Sequence, residues 1–261
     1  MRATVLGKSP AWQDADGACS GYLMQEAGAT VLLDCGNGVF GKLRRYAAFT
    51  SVDAVVITHL HADHFFDLVP FAYALTFGVT GPARAPRLLL PPGGRATLRR
   101  LAASWGGEGL LDGAFAVEEY APGDDVALGD LRLRLRTVPH FVPTCAVDVT
   151  GGDGKRLTYG ADHGPSDALV GLARGTDVLL MEATLAEPDR ADPPDERGHL
   201  TPREAGEHAG RAQAGRLVLT HISDLVDADH AVAEAALAFT GPVEVAREGA
   251  VYEIGAGVGA P

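Results

Sequence analysis

The sequence predicts an α/β protein built as a four-layer αββα sandwich, two β-sheets packed face to face with helices on the outer faces. Three observations predict it. Short apolar runs alternate with helical segments, the second half of the chain repeats the strand-helix order of the first, and Leu131-Arg132-Leu133-Arg134-Leu135 alternates as a half-buried strand does.

Residues 3–6, 20–25, 30–34 and 54–58 read as strands, mostly bounded by Gly-rich turns, and they open a sheet as a meander. Residues 38–48 form a short helical segment. Residues 63–77 form a longer one, in which Phe66, Val69, Tyr73 and Phe77 fall on one face. Residues 87–90 are a strand and 95–104 a helix, and a β-rich middle runs from 114 to 159. Helices at 167–174, 202–212 and 229–239 then interleave with strands at 177–181, 216–220, 243–246 and 251–254. The long polar loop 186–198 is rich in Pro, Asp and Glu, and a loop of that length inside a compact domain is often functional. Neither a tandem repeat nor a low-complexity linker divides the chain, so residues 1–261 are expected to form a single domain.

Hydrophobic residues at 46% and charged residues at 21% are those of an ordinary soluble globular chain, large enough to bury a full core. A net charge of -12 disfavours extended nucleic acid as a partner, because such affinity comes largely from Lys and Arg neutralising phosphates. A small phosphate-bearing substrate is not excluded by charge. The first apolar run breaks at Gly7-Lys8-Ser9-Pro10, giving no signal-peptide h-region, and no run approaches the ~20 apolar residues of a membrane span. Cys19, Cys35 and Cys145 have no CxxC spacing, which argues against a disulfide framework and a Cys-based zinc knot. The expectation is a cytoplasmic protein without a membrane partner; a homodimer is left open.

The chemistry concentrates in Thr58-His59-Leu60-His61-Ala62-Asp63-His64, directly after the buried run Val55-Val56-Ile57. Three imidazoles and a carboxylate in six residues crowd one another unless a cation offsets them. Beyond a strand, His59 and His61 share one direction by period-two geometry, while Asp63 and His64 open the next helix and can face a second ion. Imidazole and carboxylate are ligands favoured by zinc and acceptable to manganese or iron.

This HxHxDH signature resembles that of the metallo-β-lactamase superfamily, and segments spanning nearly the whole chain match its other motifs in order. Asp34 in Leu32-Leu33-Asp34-Cys35-Gly36 resembles the early Asp that buttresses the histidine loop. His140, Asp162 in Tyr159-Gly160-Ala161-Asp162, and His221 in Leu219-Thr220-His221 resemble the later metal ligands. The resemblance implies the metallo-β-lactamase fold and two divalent ions, zinc favoured. His59, His61 and His140 would hold one, Asp63, His64 and His221 the other, with Asp162 bridging and a hydroxide between them as nucleophile. Asp63 then serves catalysis as well as metal binding. Zinc lowers the pKa of bound water to about 7, and paired ions stabilise phosphoryl or acyl oxygens.

Met181-Glu182-Ala183-Thr184 and Gly198-His199-Leu200-Thr201 are similar to the paired loops of ribonuclease Z-like phosphodiesterases. The resemblance implies that His199 protonates the leaving alkoxide and Glu182 orients and charges it. Read on their own, Glu182 is a strand-end carboxylate and His199 a flank of the helix starting near Pro202. Two positions depart from the pattern: Met181 stands where that loop usually has His, and His163 where Thr often follows the bridging Asp. His163 reads as a residue behind the ligands, a substrate contact or a solvated turn histidine, and His208 and His230 as helix surface residues.

The transfer-RNA-processing members carry a long arm between the ligands matching His140 and Asp162. Only residues 141–161 separate them here, enough for a hairpin. The reading is therefore a phosphodiesterase acting on a small phosphodiester, with a 3',5'-cyclic nucleotide favoured. The alternatives are a tRNA 3'-processing endonuclease, a lactonase or thioesterase of the same superfamily, or a non-enzymatic metal-binding protein. Ser9, Trp12, Asp16, Phe65 and Thr144 are candidate pocket walls.

Overall fold

The computed structural model describes residues 1–78, 84–186 and 197–255. Its first half runs β1 (Arg2–Gly7), β2 (Gly21–Glu26), β3 (Ala29–Leu33), α1 (Val39–Leu43), β4 (Ala54–Val56), α2 (Ala62–Phe65), α3 (Leu68–Phe77), β5 (Arg87–Leu90), α4 (Gly94–Ala103), α5 (Leu110–Ala114) and β6 (Ala116–Glu119). The second runs β7 (Asp125–Leu128), β8 (Leu131–Val138), β9 (Thr144–Thr150), β10 (Arg156–Tyr159), α6 (Asp167–Leu172), β11 (Val178–Glu182), α7 (Pro202–Ala212), β12 (Leu217–Thr220), α8 (Ala228–Ala236), β13 (Val243–Val245) and β14 (Val251–Glu253).

Two seven-stranded sheets result, ordered β14-β1-β2-β3-β4-β5-β6 and β13-β12-β11-β10-β9-β8-β7. Each begins as an antiparallel meander, β1 to β3 and β7 to β10, and continues parallel, β3 to β6 and β10 to β13. Parallel strands need both faces covered, and here they are. Val31, Leu33 and Val56 meet Leu133, Leu135, Val147 and Tyr159 between the sheets. Outside, α1 to α5 cover the first sheet through Leu43, Leu68, Phe71 and Leu98, and α6 to α8 cover the second through Leu169, Ala205, Ala209 and Ala231. The four-layer αββα sandwich is the observed architecture. On β8 the leucines point inward, while Arg134 joins Arg156 outside on the buried carboxylate of Asp148.

The helix expected over 63–77 is two helices. Asp67 N–H donates to Cys35 O rather than continuing the ladder of α2, and the Asp67 carboxylate accepts from Phe40 N–H. The face shared by Phe66, Val69, Tyr73 and Phe77 is the outer one: Phe77 is 77% exposed, and Leu68, Phe71 and Ala72 make the core contact instead. Likewise α1 covers only part of the segment 38–48. Most of the loop 186–198 lies outside the described residues. Among the described residues no helix is long and apolar enough to cross a membrane.

The parallel strands matter for function because their carboxyl ends gather on one edge, where ligands of open α/β sheets bind. Asp34 follows β3, His59 follows β4, Asp162 follows β10, Glu182 ends β11 and His221 follows β12.

Candidate metal centre

Asp34, Ala161 and His221 have φ of 57°, 55° and 51°, a left-handed backbone that L-residues avoid. Each stands just past a strand, at the site or next to it. Strain of this kind, about 1–3 kcal/mol per residue, persists where surrounding contacts enforce it. Close backbone packing is one such contact: Cys35 N–H donates to His64 O at 2.7 Å, and a Cβ on Gly36 would lie 1.8 Å from Asp63 O. Gly36→Ala is therefore expected to push the α2 turn out of place and weaken metal binding by about 10–100-fold. Elemental analysis after reconstitution reads this directly, and full metal content in the variant would show that the loop has slack.

His59, His61, His140 and Asp162 present donor atoms within 4.8 Å of one another, and so do Asp63, His64, Asp162 and His221. Asp162 belongs to both groups. Its Oδ2 is 3.7 Å from His59 Nε2 and 3.2 Å from His221 Nε2, and its Oδ1 is 3.3 Å from His64 Nε2. Asp63 Oδ2 lies 3.1 Å from His221 Nε2, and His61 Nδ1 lies 3.1 Å from His140 Nε2. All seven residues thus converge. His61 and His140 keep partial exposure and form the open side.

The outer nitrogens of His59, His64 and His140 are already engaged, which fixes what the inner ones offer. His64 Nδ1–H donates to Asp34 Oδ2 at 2.7 Å, and His140 Nδ1–H donates to Gly198 O at 2.7 Å. His59 Nδ1–H donates to Thr58 Oγ at 3.1 Å, and that hydroxyl donates to Asp34 Oδ2 at 2.9 Å. Asp34 also accepts from Thr58 N–H and the Tyr159 hydroxyl, so it is the buttress the sequence pointed to. The inner nitrogens therefore turn lone pairs toward the carboxylates. His59 Nε2, His64 Nε2 and Asp162 Oδ1 are buried with no hydrogen-bond partner. Leaving such groups unpaired costs about 1–3 kcal/mol each, and facing lone pairs are what a cation reconciles. The residue set fits two divalent ions.

Burial lowers the pKa of His59, His61 and His140, the last to about 4, which keeps these imidazoles neutral as ligands must be. Burial would raise Asp63 and Asp162, but the imidazoles of His221 and His64 beside them hold both well below the usual carboxylate range. At His64 burial opposes charge, yet Asp162 and Asp34 outweigh it and draw the pKa upward, so a proton is favoured where a metal ion would sit.

Beside this centre, both oxygens of the fully buried Glu182 lie 3.1 Å from His199 Nδ1. Burial disfavours charge on His199, but the hydrogen bond and charge of Glu182 prevail and raise its pKa. The His199 ring sits 5.1 Å from His140 and 5.7 Å from His221, centroid to centroid. The capping box of Thr201 and Glu204, with Pro202 in the first turn, puts the N-cap of α7 two residues after His199 and anchors the loop. Glu182, His199 and His221 also lie close enough to share an ion, but hydrogen bonds already occupy Glu182 and the Nδ1 atoms of both histidines.

Several expectations are corrected. Of the readings open for His163, the solvated turn is the one overturned: the residue is fully buried behind Glu182, its N–H donating to Oε1 at 2.6 Å, with Nε2 3.2 Å from Met181 Sδ. His208 is not on the surface either, because its Nε2 accepts from Ser166 N–H and its Nδ1–H donates to Glu204 O. His230 is exposed as expected. Of the candidate pocket walls, Ser9, Phe65 and Thr144 are buried, and Trp12 and Asp16 are exposed. Sequence reasoning missed Phe141, 63% exposed with its ring 5.8 Å from that of His199, and gave Thr184 no task.

Residues 29–222 match the family described as the β-lactamase superfamily domain, and the chain belongs to that superfamily of metallo-hydrolases. Its relatives refine the neighbourhood. An uncharacterized protein of Mycobacterium leprae (strain TN) is 36% identical over 259 residues, 97% of this chain and 89% of its own. YhfI of Bacillus subtilis (strain 168), a probable metallo-hydrolase, is 30% identical over 257 residues, 97% of this chain and 100% of that one. The crystal structure of YhfI matches with a TM-score of 0.85 at 26% identity, over 97% of this chain and 99% of that chain. Ribonuclease Z of Myxococcus xanthus (strain DK1622) is 29% identical over 307 residues, 97% of this chain and 98% of its own.

Proposed function

We propose that this protein is a dimetal phosphodiesterase that hydrolyses a small phosphodiester, with a 3',5'-cyclic nucleotide as the favoured substrate. In this reading His59, His61, His140 and Asp162 hold one divalent ion, and Asp63, His64, His221 and Asp162 the other, zinc being the ion best suited to imidazole and carboxylate. Cations held there lower the pKa of water and offset charge on phosphoryl oxygens.

The observation that carries the reading is the Glu182–His199 pair. Its Nδ1–H turned to Glu182, His199 keeps Nε2 to hand a proton to an alkoxide leaving group, a step that a phosphodiester needs and an activated ester does not. The small substrate is favoured by the interval between His140 and Asp162. Most of it is the hairpin of β9 and β10, part of the second sheet itself, so nothing there reaches out to grip a long RNA. A cyclic diester instead needs only the centre and local walls, of which Phe141 is one.

The test is a substrate panel for the zinc- or manganese-loaded protein: cyclic nucleotides, bis(p-nitrophenyl) phosphate, a lactone and a precursor tRNA, each at low and high salt. Cyclic-nucleotide cleavage with weak salt dependence is expected, since few phosphates are engaged. Efficient precursor-tRNA cleavage that falls steeply with salt, without cyclic-nucleotide turnover, would replace this reading with tRNA processing.

A further inference from the structure

We propose that Thr184 is a positioning residue whose single hydroxyl ties the ligand set around His221 to the proton-donating pair Glu182–His199; the assignment rests on the dimetal phosphodiesterase reading above. Thr184 Oγ lies 2.7 Å from His221 Nδ1, 2.7 Å from Glu182 Oε2 and, more distantly, 3.2 Å from the carbonyl of His221. A hydroxyl has one proton to give, and the charged carboxylate at the shorter distance takes it ahead of the carbonyl, so the two short contacts have opposite senses. Glu182 is an acceptor throughout: Oε1 takes His163 N–H at 2.6 Å, Oε2 takes Leu200 N–H at 3.1 Å, and both face His199 Nδ1. Thr184 therefore donates to Glu182 and accepts from His221 Nδ1–H.

The consequence falls on the far side of each ring. His221 is held in the tautomer whose Nε2 is bare, and that nitrogen faces Asp63 and Asp162 at 3.1 and 3.2 Å. Glu182 is held by a further donor in the orientation that receives His199. A continuous path of hydrogen bonds then runs from His221 through Thr184 and Glu182 to His199.

The backbone builds this path deliberately. Ala183 N–H donates to Thr220 O at 2.9 Å, which carries the parallel pairing of β11 with β12 past Glu182 and keeps the next residue, Thr184, within reach of His221. Thr58 makes the corresponding contact from His59 to Asp34, but that path runs on to His64, another of the converging donors, and to Tyr159 in the core. Only the Thr184 path ends on the residue that would protonate the leaving group.

The experiment compares Thr184→Val, which keeps the shape and removes the hydroxyl, with Thr184→Ser, which keeps the hydroxyl. Zinc affinity is measured by competition with a chromophoric chelator. Turnover is measured on a cyclic nucleotide and on bis(p-nitrophenyl) phosphate, whose leaving group needs no proton. Thr184→Val is expected to bind the weaker zinc about 10–100-fold less tightly and to lose more kcat on the cyclic nucleotide than on the nitrophenyl diester. Thr184→Ser is expected to restore both. Wild-type zinc affinity in Thr184→Val, equal loss of kcat on both diesters, or failure of Thr184→Ser to restore zinc affinity would overturn the proposal. Should circular dichroism show Thr184→Val unfolded, the Ser variant decides alone: weakened zinc binding there overturns the role, and wild-type affinity and turnover support it. Absence of any phosphodiester turnover in the wild type would sink the phosphodiesterase reading, and the zinc measurement would still judge the contact to His221.

Discussion

Asp162→Ala is expected to lose both ions and about 10³-fold or more in kcat, a larger effect than removing any ligand that serves one site. The reason is geometric. One oxygen of Asp162 stands between His59 and His221 and the other beside His64, so a single carboxylate sets the spacing of both donor groups. It is also buried, and the neighbouring imidazoles hold its pKa well below the carboxylate range, so its negative charge is present across the working pH range. His59→Ala or His221→Ala removes one donor and leaves the bridge. Either is expected to empty or weaken one site while the other keeps its ion. Metal content by elemental analysis should then read near zero for Asp162→Ala, near one for the terminal variants and near two for the wild type. A full complement of metal and near-normal turnover in Asp162→Ala would remove the bridge from the description of this site.

Much of this candidate site was legible in the sequence because its converging side chains follow strands whose apolar runs are unmistakable. Val55-Val56-Ile57 before His59, Leu131 to Val138 before His140 and Leu217 to Thr220 before His221 each fix a chain direction, and a residue just beyond a buried strand has little freedom. What stayed hidden depends on tertiary contacts. The break between α2 and α3 comes from Asp67 reaching across to Cys35 and Phe40, partners about thirty residues away that no local periodicity encodes. The outer face of α3 deceived for a related reason: Phe66, Tyr73 and Phe77 have the spacing of a buried stripe but lie outside. His163 and Met181 were noticed as separate departures from a motif, whereas in the structure they touch each other beneath Glu182. His208 looked like a surface residue because its neighbours Arg203, Glu207 and Arg211 are charged, yet its own face of α7 is capped by Ser166.

His199→Ala is expected to retain both metal ions and to lose about 10²–10⁴-fold in kcat on a cyclic nucleotide, the range attributable to one positioned proton donor. The same change should cost about tenfold or less on bis(p-nitrophenyl) phosphate, because nitrophenolate departs without help. This contrast separates proton donation from simple damage: a disordered site would slow both substrates alike. The pH dependence adds a second check, and its sign follows from the structure. Burial works against a charged His199, but Glu182 overrides it and raises the pKa, so the protonated acid persists above the ordinary histidine range. Wild-type turnover of the cyclic substrate should hold through neutral pH and fall on the alkaline side as His199 deprotonates; that alkaline limb should disappear in His199→Ala and should be weak for the nitrophenyl diester. The variant should still bind metal as the wild type does, since Nδ1 of His199 faces Glu182 and the seven converging donors do not include it. Equal losses on the two diesters, or an alkaline limb that survives the substitution, would take the proton-donating role away from His199 and return the chemistry to the metal centre and Asp63 alone, as in an esterase or lactonase of the same superfamily.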